Sequence, residues 1–202
     1  MKPSELIKSK ISYNKGLYNI MPIANIQSVM VNGILSNNIA KSIVHRSVAM
    51  NVIQEKRESI IIPNGLKLHD YANLYFDARN PMMFKRKHEA IVVLKIDLRI
   101  IDLPDVIISD RNASSEYARF YEPIEAINNL DYSMIYARDW KDLDLFEYYK
   151  KKSMKCAEVL VPHKIDPCYI IAAAVKNDDD KIRLLESGFN KTVYVQPDLF
   201  FM

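Results

Sequence analysis

Apolar and polar positions along the chain switch between two periods, and the switches mark out the elements. Leu17 to Met21 reads as a short strand. Asn25 then stands as a helix N-cap, and Ile26, Val29 and Met30 recur at helical spacing up to Asn32-Gly33, where a glycine suits the C-cap. Ala49 to Lys56 carries a second helical pattern. Ile60-Ile-Ile62 and Ala90-Ile-Val-Val-Leu-Lys-Ile96 have the β-branched enrichment of buried strands. Val106-Ile-Ile108, Ala157 to Val161, Tyr169 to Val175 and Thr192 to Val195 add further strands, with a helix from Asp179 to Ser187 between the last two. Leu74-Tyr-Phe76 predicts a further strand, and because its neighbouring aromatics must point opposite ways, one of Tyr75 and Phe76 faces the core. Many strands and few helices, without regular β-α-β alternation, predict an α+β fold.

Asp110 to Lys155 breaks this pattern. Asn112, Tyr117, Arg119, Phe120, Tyr121, Tyr132, Tyr136 and Trp140 show no clean period before a helical stretch near Leu143 to Tyr149, as in a long functional loop. A set of short surface helices is the alternative.

Composition narrows the class. A chain of 202 residues, 49% apolar and 26% charged, suits a single core, and with glycine at only four positions no flexible linker divides it. One domain spanning 1–202 is expected. Met1 to Lys8 lacks the apolar run of a secretory signal, and no segment nears the roughly 20 apolar residues of a membrane span, so a cytoplasmic protein is expected. Cys156 and Cys168 lack the paired spacing of a zinc site, so no metal is expected, and both are predicted to be buried packing residues. The net charge of +3 does not by itself predict a nucleic-acid partner. Its distribution says more: Arg79, Lys85, Arg86, Lys87 and His88 form one basic cluster, and Lys150, Lys151, Lys152 and Lys155 another.

Two features carry candidate chemistry. The segment His69-Asp-Tyr-Ala-Asn-Leu-Tyr-Phe-Asp-Ala-Arg-Asn-Pro-Met-Met-Phe84 gathers stacking residues and an arginine in one short irregular stretch, as a ligand-facing surface would. Glu158 sits mid-strand in Ala157-Glu-Val-Leu-Val161, where alternation sends Ala157, Val159 and Val161 to the core and Glu158 with Leu160 to the other face. A solvent-facing position is the ordinary explanation of such a carboxylate. Arg57, in Gln54-Glu-Lys-Arg-Glu58, reads on its own as one more charge at an exposed helix end.

Four separated motifs occur in one order between about Tyr18 and Val161: Leu17-Tyr-Asn-Ile20, Leu74-Tyr-Phe76 leading into Arg79-Asn-Pro-Met-Met83, Asp110-Arg-Asn-Ala113, and Lys155-Cys-Ala-Glu-Val-Leu-Val161. Together they resemble the DarT-type DNA ADP-ribosyltransferases, toxins of bacterial toxin–antitoxin pairs. The resemblance implies an ADP-ribosyltransferase fold of two small, mainly antiparallel sheets around an NAD cleft with flanking helices. It also implies transfer of ADP-ribose from NAD+ to a base, thymidine foremost, in single-stranded DNA, with NAD+ as co-substrate, no metal and a DarG-type macrodomain antitoxin as partner. Glu158 and Arg57 become the catalytic pair, and Arg57 is better suited to orientation and charge stabilisation than to taking a proton. Asn19, Ile20, Met21, Ser28, Leu35, Ser36, Arg57, Tyr75 and Phe76 are expected to hold NAD+, with Asn19 standing where relatives usually carry histidine. Tyr71, Arg79, Met82, Asn112 and Lys155 are expected to face DNA, and 110–155 to form the substrate-binding loop region, in which Arg111 replaces a usual glycine. Modification of guanine or of a protein, or a catalytically silent nucleic-acid-binding module, are the alternatives.

Overall fold

The computed structural model describes residues 1–12, 15–46, 51–63 and 65–202. In chain order its elements are α1 (Pro3–Lys10), β1 (Leu17–Pro22), α2 (Ile26–Asn32), β2 (Ile34–Leu35), α3 (Asn37–Ala40), α4 (Asn51–Glu58), β3 (Tyr71–Tyr75), α5 (Pro81–Arg86), β4 (Ile91–Ile96), β5 (Ile107–Ser109), β6 (Phe120–Tyr121), α6 (Pro123–Asn129), α7 (Tyr132–Ile135), α8 (Leu145–Met154), β7 (Glu158–Pro162), β8 (Lys164–Ile165), β9 (Ile170–Val175), α9 (Asp178–Glu186) and β10 (Thr192–Val195). The α+β class follows the sequence pattern. The two sheets are unequal: eight strands in the order β10-β9-β4-β1-β3-β7-β5-β6, and a ribbon of β2 with β8. Neighbours in both run antiparallel except β9 and β10.

Within the large sheet the ladder nearly breaks. β1 pairs with β4 from Leu17 to Pro22, and β3 with β7 from Tyr71 to Tyr75, but β1 and β3 meet only at Tyr18 and Tyr75. Two four-stranded halves thus hinge on one residue pair and part beyond it. Where they part, the Asn19 side chain substitutes for the missing ladder bond by donating from Nδ2 to the Asn73 carbonyl at 3.0 Å. A buried main-chain oxygen without such a partner would be costly.

Alternation assigns the faces. Leu17 and Met21, Ala72, Leu74 and Phe76, Val92, Leu94 and Ile96, and Ala157, Val159 and Val161 enter one continuous core with Ile7 of α1, Ile26 and Val29 of α2, Ile127 of α6 and Leu184 of α9. The other face carries two smaller clusters, one around Ile20, Met83, Val93 and Phe200, the other around Ile62, Leu68, Tyr71 and Leu160.

Several expectations change. Ile60–Ile62 is not a strand but the entry to a tight reversal, with one bridge from Ile61 to Lys67 and an Ile62 N–H bond to the Leu66 carbonyl. Pro63, which has no N–H, ends any longer ladder. Of the helix expected at Ala49 to Lys56, the described part starts at Asn51, and Ala49 and Met50 lie outside the described residues. Asn25 occupies the α2 N-cap without a capping bond, because its amide instead brackets the Arg46 main chain at 2.7 and 2.9 Å. Residues 110–155 hold α6, α7 and α8 as well as loop. Pro123 starts the first, while Asp131 and Asp144 cap the others by accepting from Met134 and Glu147 N–H groups. Helices this short show too few turns for their period to stand out. α1 was not foreseen.

Gly33 ends α2 at φ 86°, and a Cβ there would strike the Ile165 carbonyl across the β2–β8 ribbon. Gly33→Ala therefore combines left-handed backbone strain with a backbone collision and is expected to cost more than about 1 kcal/mol, read as a lowered midpoint in urea unfolding.

Candidate active site

Glu158 lies opposite Tyr75 of β3 and Ser109 of β5 and has no exposed surface, so the solvent-facing explanation does not hold. Arg57, from the last turn of α4, reaches it. Its Nη1 donates to both carboxylate oxygens at 3.1 and 3.2 Å, and the Ala113 main-chain N–H donates to Oε1 at 2.9 Å. An ionised carboxylate has about four lone-pair positions. Oε1 is therefore filled, while Oε2 keeps one. Burial alone would lower the Arg57 pKa, but the charge and hydrogen bonding of Glu158 outweigh it and hold the guanidinium above its ordinary value. Arg57 stays a cation. Burial, reinforced by the Glu158 charge, raises the Tyr75 phenol well above its usual range, so its O–H remains a neutral donor.

Two hollows meet here, sharing Asn19, Gln54, Arg57 and Asn73 as a common wall. The smaller, about 190 Å³, runs between β1, α2, β2 and the turn before β3, past Met21, Ser28, Leu35, His69 and Tyr71. The larger, about 500 Å³, is bounded by Ile20, Tyr75, Met82, Phe84, Asn112 and Trp140, with Lys85, Arg86, Tyr148 and Lys152 around it. Its wall is aromatic and basic. Phe84, Trp140 and Phe201 pack edge to face at 5.1–6.0 Å, and Lys152 lies over the Tyr148 ring at 5.2 Å. Such a surface can stack a base and neutralise phosphate. Cys156 also lines it, but burial and then the Glu158 charge push its thiol up to about 12, which leaves no nucleophilic thiolate near neutral pH.

Most expected ligand-facing residues reach these hollows. Asn19, Met21, Ser28, Leu35 and Arg57 line the smaller one, and Asn19, Ile20, Arg57, Tyr75, Met82 and Asn112 the larger. Five placements differ. Phe76 is wholly buried in the main core, on the face opposite Tyr75. Ser36 is buried between the lining residues Leu35 and Asn37 without lining the hollow itself. Tyr71 is buried too, faces the smaller hollow, and accepts the Leu66 N–H at 3.1 Å instead of lying on an open surface. Arg79 is taken up by the fold: it donates to the Asp198 and Arg138 carbonyls and stacks on Phe201 at 4.0 Å. Lys155, 1% exposed, pairs with Asp77 at 2.7 Å and donates to the Ile135 and Ala137 carbonyls, which ties α7 and α8 to the end of β3. Cys168, expected inside, is exposed.

Sequence reasoning missed Gln54, Asn73, Tyr148 and Lys152, whose polar types mid-element were the available signal, and passed over His69. That imidazole is 5% exposed, and among the described residues neither ring nitrogen has a partner. Burial first, then the charges of Arg57 and Lys41, lower its pKa against the opposing pull of Glu58 and Asp70. Among the described residues no cluster of His, Cys, Asp and Glu could hold a metal ion, and no helix is long and apolar enough to cross a membrane.

The family follows from comparison. The chain belongs to the DarT family, whose model, ssDNA thymidine ADP-ribosyltransferase, matches residues 18–201. A DNA ADP-ribosyl transferase–DNA ADP-ribosyl glycohydrolase fusion protein of Thermosipho africanus (strain H17ap60334) is 33% identical over 195 residues, 92% of this chain and 48% of that protein. A DNA ADP-ribosyl transferase of Thermus sp. (strain 2.9) is 30% identical over 140 residues, 62% of this chain and 66% of that protein. The chain thus spans about half the length of the first relative and about two thirds of the second. Among solved structures, Thermosipho africanus DarTG in complex with ADP-ribose superposes with a TM-score of 0.80 at 28% identity, covering 94% of this chain and 52% of that one. Thermus sp. 2.9 DarT in complex with ADP-ribosylated ssDNA gives 0.78 at 25% identity, covering 91% and 94%.

Two outcomes follow. Arg57→Met removes one member of a buried pair and is expected to destabilise the protein by about 3–5 kcal/mol in urea unfolding, because Glu158 is left uncompensated. With a folded-state pKa below the unfolded 6.5, His69 leaves stability untouched above pH 6.5 and lowers it as pH falls toward the folded value, where the unfolded chain takes up a proton that the folded one refuses. Between pH 7.5 and pH near 5 the thermal midpoint of His69→Gln should therefore fall less than that of the native protein.

Proposed function

We propose that this protein transfers ADP-ribose from NAD+ to thymidine in single-stranded DNA, in a sequence-dependent manner, with release of nicotinamide. The observation that carries the assignment is the buried Glu158 beneath a permanently charged Arg57, at the junction of two hollows. Family membership and the ligands named for the Thermus structure support it. The smaller hollow suits NAD+ as co-substrate: its wall holds buried polar atoms without partners, on Asn19, Asn37 and His69, which a polar ligand would satisfy. When bound, NAD+ supplies a glycosidic bond whose leaving group is already cationic.

The chain's own residues do the rest. Glu158, through the open position on Oε2, accepts a ribose hydroxyl and sets negative charge beside a carbon that becomes cationic, as glycosidase carboxylates do. Arg57 keeps that carboxylate oriented, and it offers its guanidinium to pyrophosphate or a base edge. Tyr75 walls the nicotinamide side. Phe84, Trp140 and Tyr148 receive a base splayed from an unpaired strand, with Lys85, Arg86 and Lys152 toward phosphate and Met82 and Asn112 beside the base. Because Oε2 lies under Arg57, the guanidinium or the Asn112-Ala113 turn shifts when substrate enters. In this role the protein is a cytoplasmic toxin, a single domain over 1–202, and its partner is a DarG-type macrodomain that removes the modification. The fused glycohydrolase of the Thermosipho relative supports that pairing.

Incubation with NAD+ and mixed single-stranded oligonucleotides should add the mass of one ADP-ribose to DNA on a thymidine. Glu158→Gln should slow this on the order of 10²-fold or more. A guanine adduct would overturn the target base alone. Labelled protein with unmodified DNA would indicate a protein ADP-ribosyltransferase, and salt-sensitive DNA binding without NAD+ consumption a silent binding module.

A further inference from the structure

The partnerless atoms of the smaller hollow are not a random set. Asn19 commits its amide nitrogen to the Asn73 carbonyl, which leaves Oδ1 free, and Asn37 commits its nitrogen to Gln54 at 3.1 Å, which again leaves an oxygen. His69, a neutral imidazole near pH 7, adds one acceptor and one donor, neither used by any of the described residues. Acceptors outnumber donors. A pyrophosphate, all acceptor, could use only the single imidazole N–H, whereas hydroxyl groups bring the hydrogens that the three acceptors lack. A buried polar side chain left unmatched costs about 1–3 kcal/mol, so a histidine retained in this state calls for a ligand that completes it.

We infer that His69 is a specificity-determining residue of the NAD+ site, hydrogen-bonded to the hydroxyls of the adenosine ribose with Asn19 and Asn37 beside it. The assignment rests on the dinucleotide reading of the cleft proposed above. Position selects the sugar: His69 lines the smaller hollow and not the larger, and Glu158, which takes the sugar at the reacting bond, lines neither but lies under the wall they share. The sugar farther from the reacting bond is the one within this hollow. His69 leads directly into β3 through a short 3-10 turn, Leu68–Asp70, and the His163 N–H holds the Asp70 carbonyl at 2.7 Å, so the ring is presented by a fixed backbone.

The test uses calorimetric titration of the full chain with ADP-ribose and with its counterparts lacking the 2′- or the 3′-hydroxyl of the adenosine ribose. His69→Phe keeps the ring volume and removes both polar atoms, and His69→Gln restores a donor and an acceptor; thermal unfolding establishes which variants are folded. The native protein should lose about five- to tenfold in affinity when the matched hydroxyl is absent, the value of one net hydrogen bond. His69→Phe should bind ADP-ribose that much more weakly and no longer distinguish the deoxy ligand, while His69→Gln recovers part of the discrimination. If the native protein binds ADP-ribose and each folded His69 variant shows the same affinity and the same deoxy penalty, the role of His69 is overturned and the dinucleotide site stands. If the native protein binds neither ADP-ribose nor NAD+, the dinucleotide reading falls and His69 with it.

Discussion

A carboxylate without exposed surface and a guanidinium that stays charged hold each other inside this protein, and the arrangement around them makes sense only as support for that pair. Taking two ions out of water is expensive, and their attraction offsets the loss only when other bonds complete them. The Ala113 N–H completes Oε1. The pair also acts on its neighbours: burial first and then the negative charge keep the Tyr75 phenol and the Cys156 thiol protonated, while burial and then the positive charge keep His69 neutral.

The space for such a cleft comes from the strand ladder. Sheets ordinarily close every gap between neighbours, because an unpaired main-chain group in the interior is a penalty. Here β1 and β3 touch at one register pair and separate, and the amide of Asn19 stands in for the bond the ladder omits. The same residue lines both hollows, and its buried Oδ1 has no partner among the described residues. An asparagine is well matched to that double task, since donor and acceptor sit on one planar group.

Much of this was legible from residue order. Strands with long apolar runs, such as Ile91–Ile96 and Ile170–Val175, announce themselves, and Glu158 stood out as a carboxylate mid-strand although alternation alone allowed it a solvent-facing place. The partner itself was less visible: Arg57 lies 101 residues away, and helical spacing near the end of α4 marks it as exposed. Family motifs located it where period alone could not. The same motifs misled at Arg79 and Lys155, where long basic side chains that resemble phosphate ligands instead satisfy main-chain carbonyls and a buried Asp77. Sequence shows that a cation is present, and only packing decides whether it meets solvent or a carbonyl. In the stretch 110–155, short helices begun by proline or by aspartate caps left too little periodicity to be read.

The bond from Ala113 to Glu158 has an implication for how the protein is handled. Because the turn carrying Asn112 is fastened to the acid itself, the acid is also a structural strut for that turn, and losing the carboxylate removes one of the bonds, beside that from the Asn112 N–H to the Ser153 carbonyl, that shape the surrounding mouth. A variant made inert by losing the carboxylate is therefore an imperfect decoy of the native molecule: partners that recognise the contour of the opening would meet a different surface. Silencing through a residue that does not anchor the turn preserves that contour better.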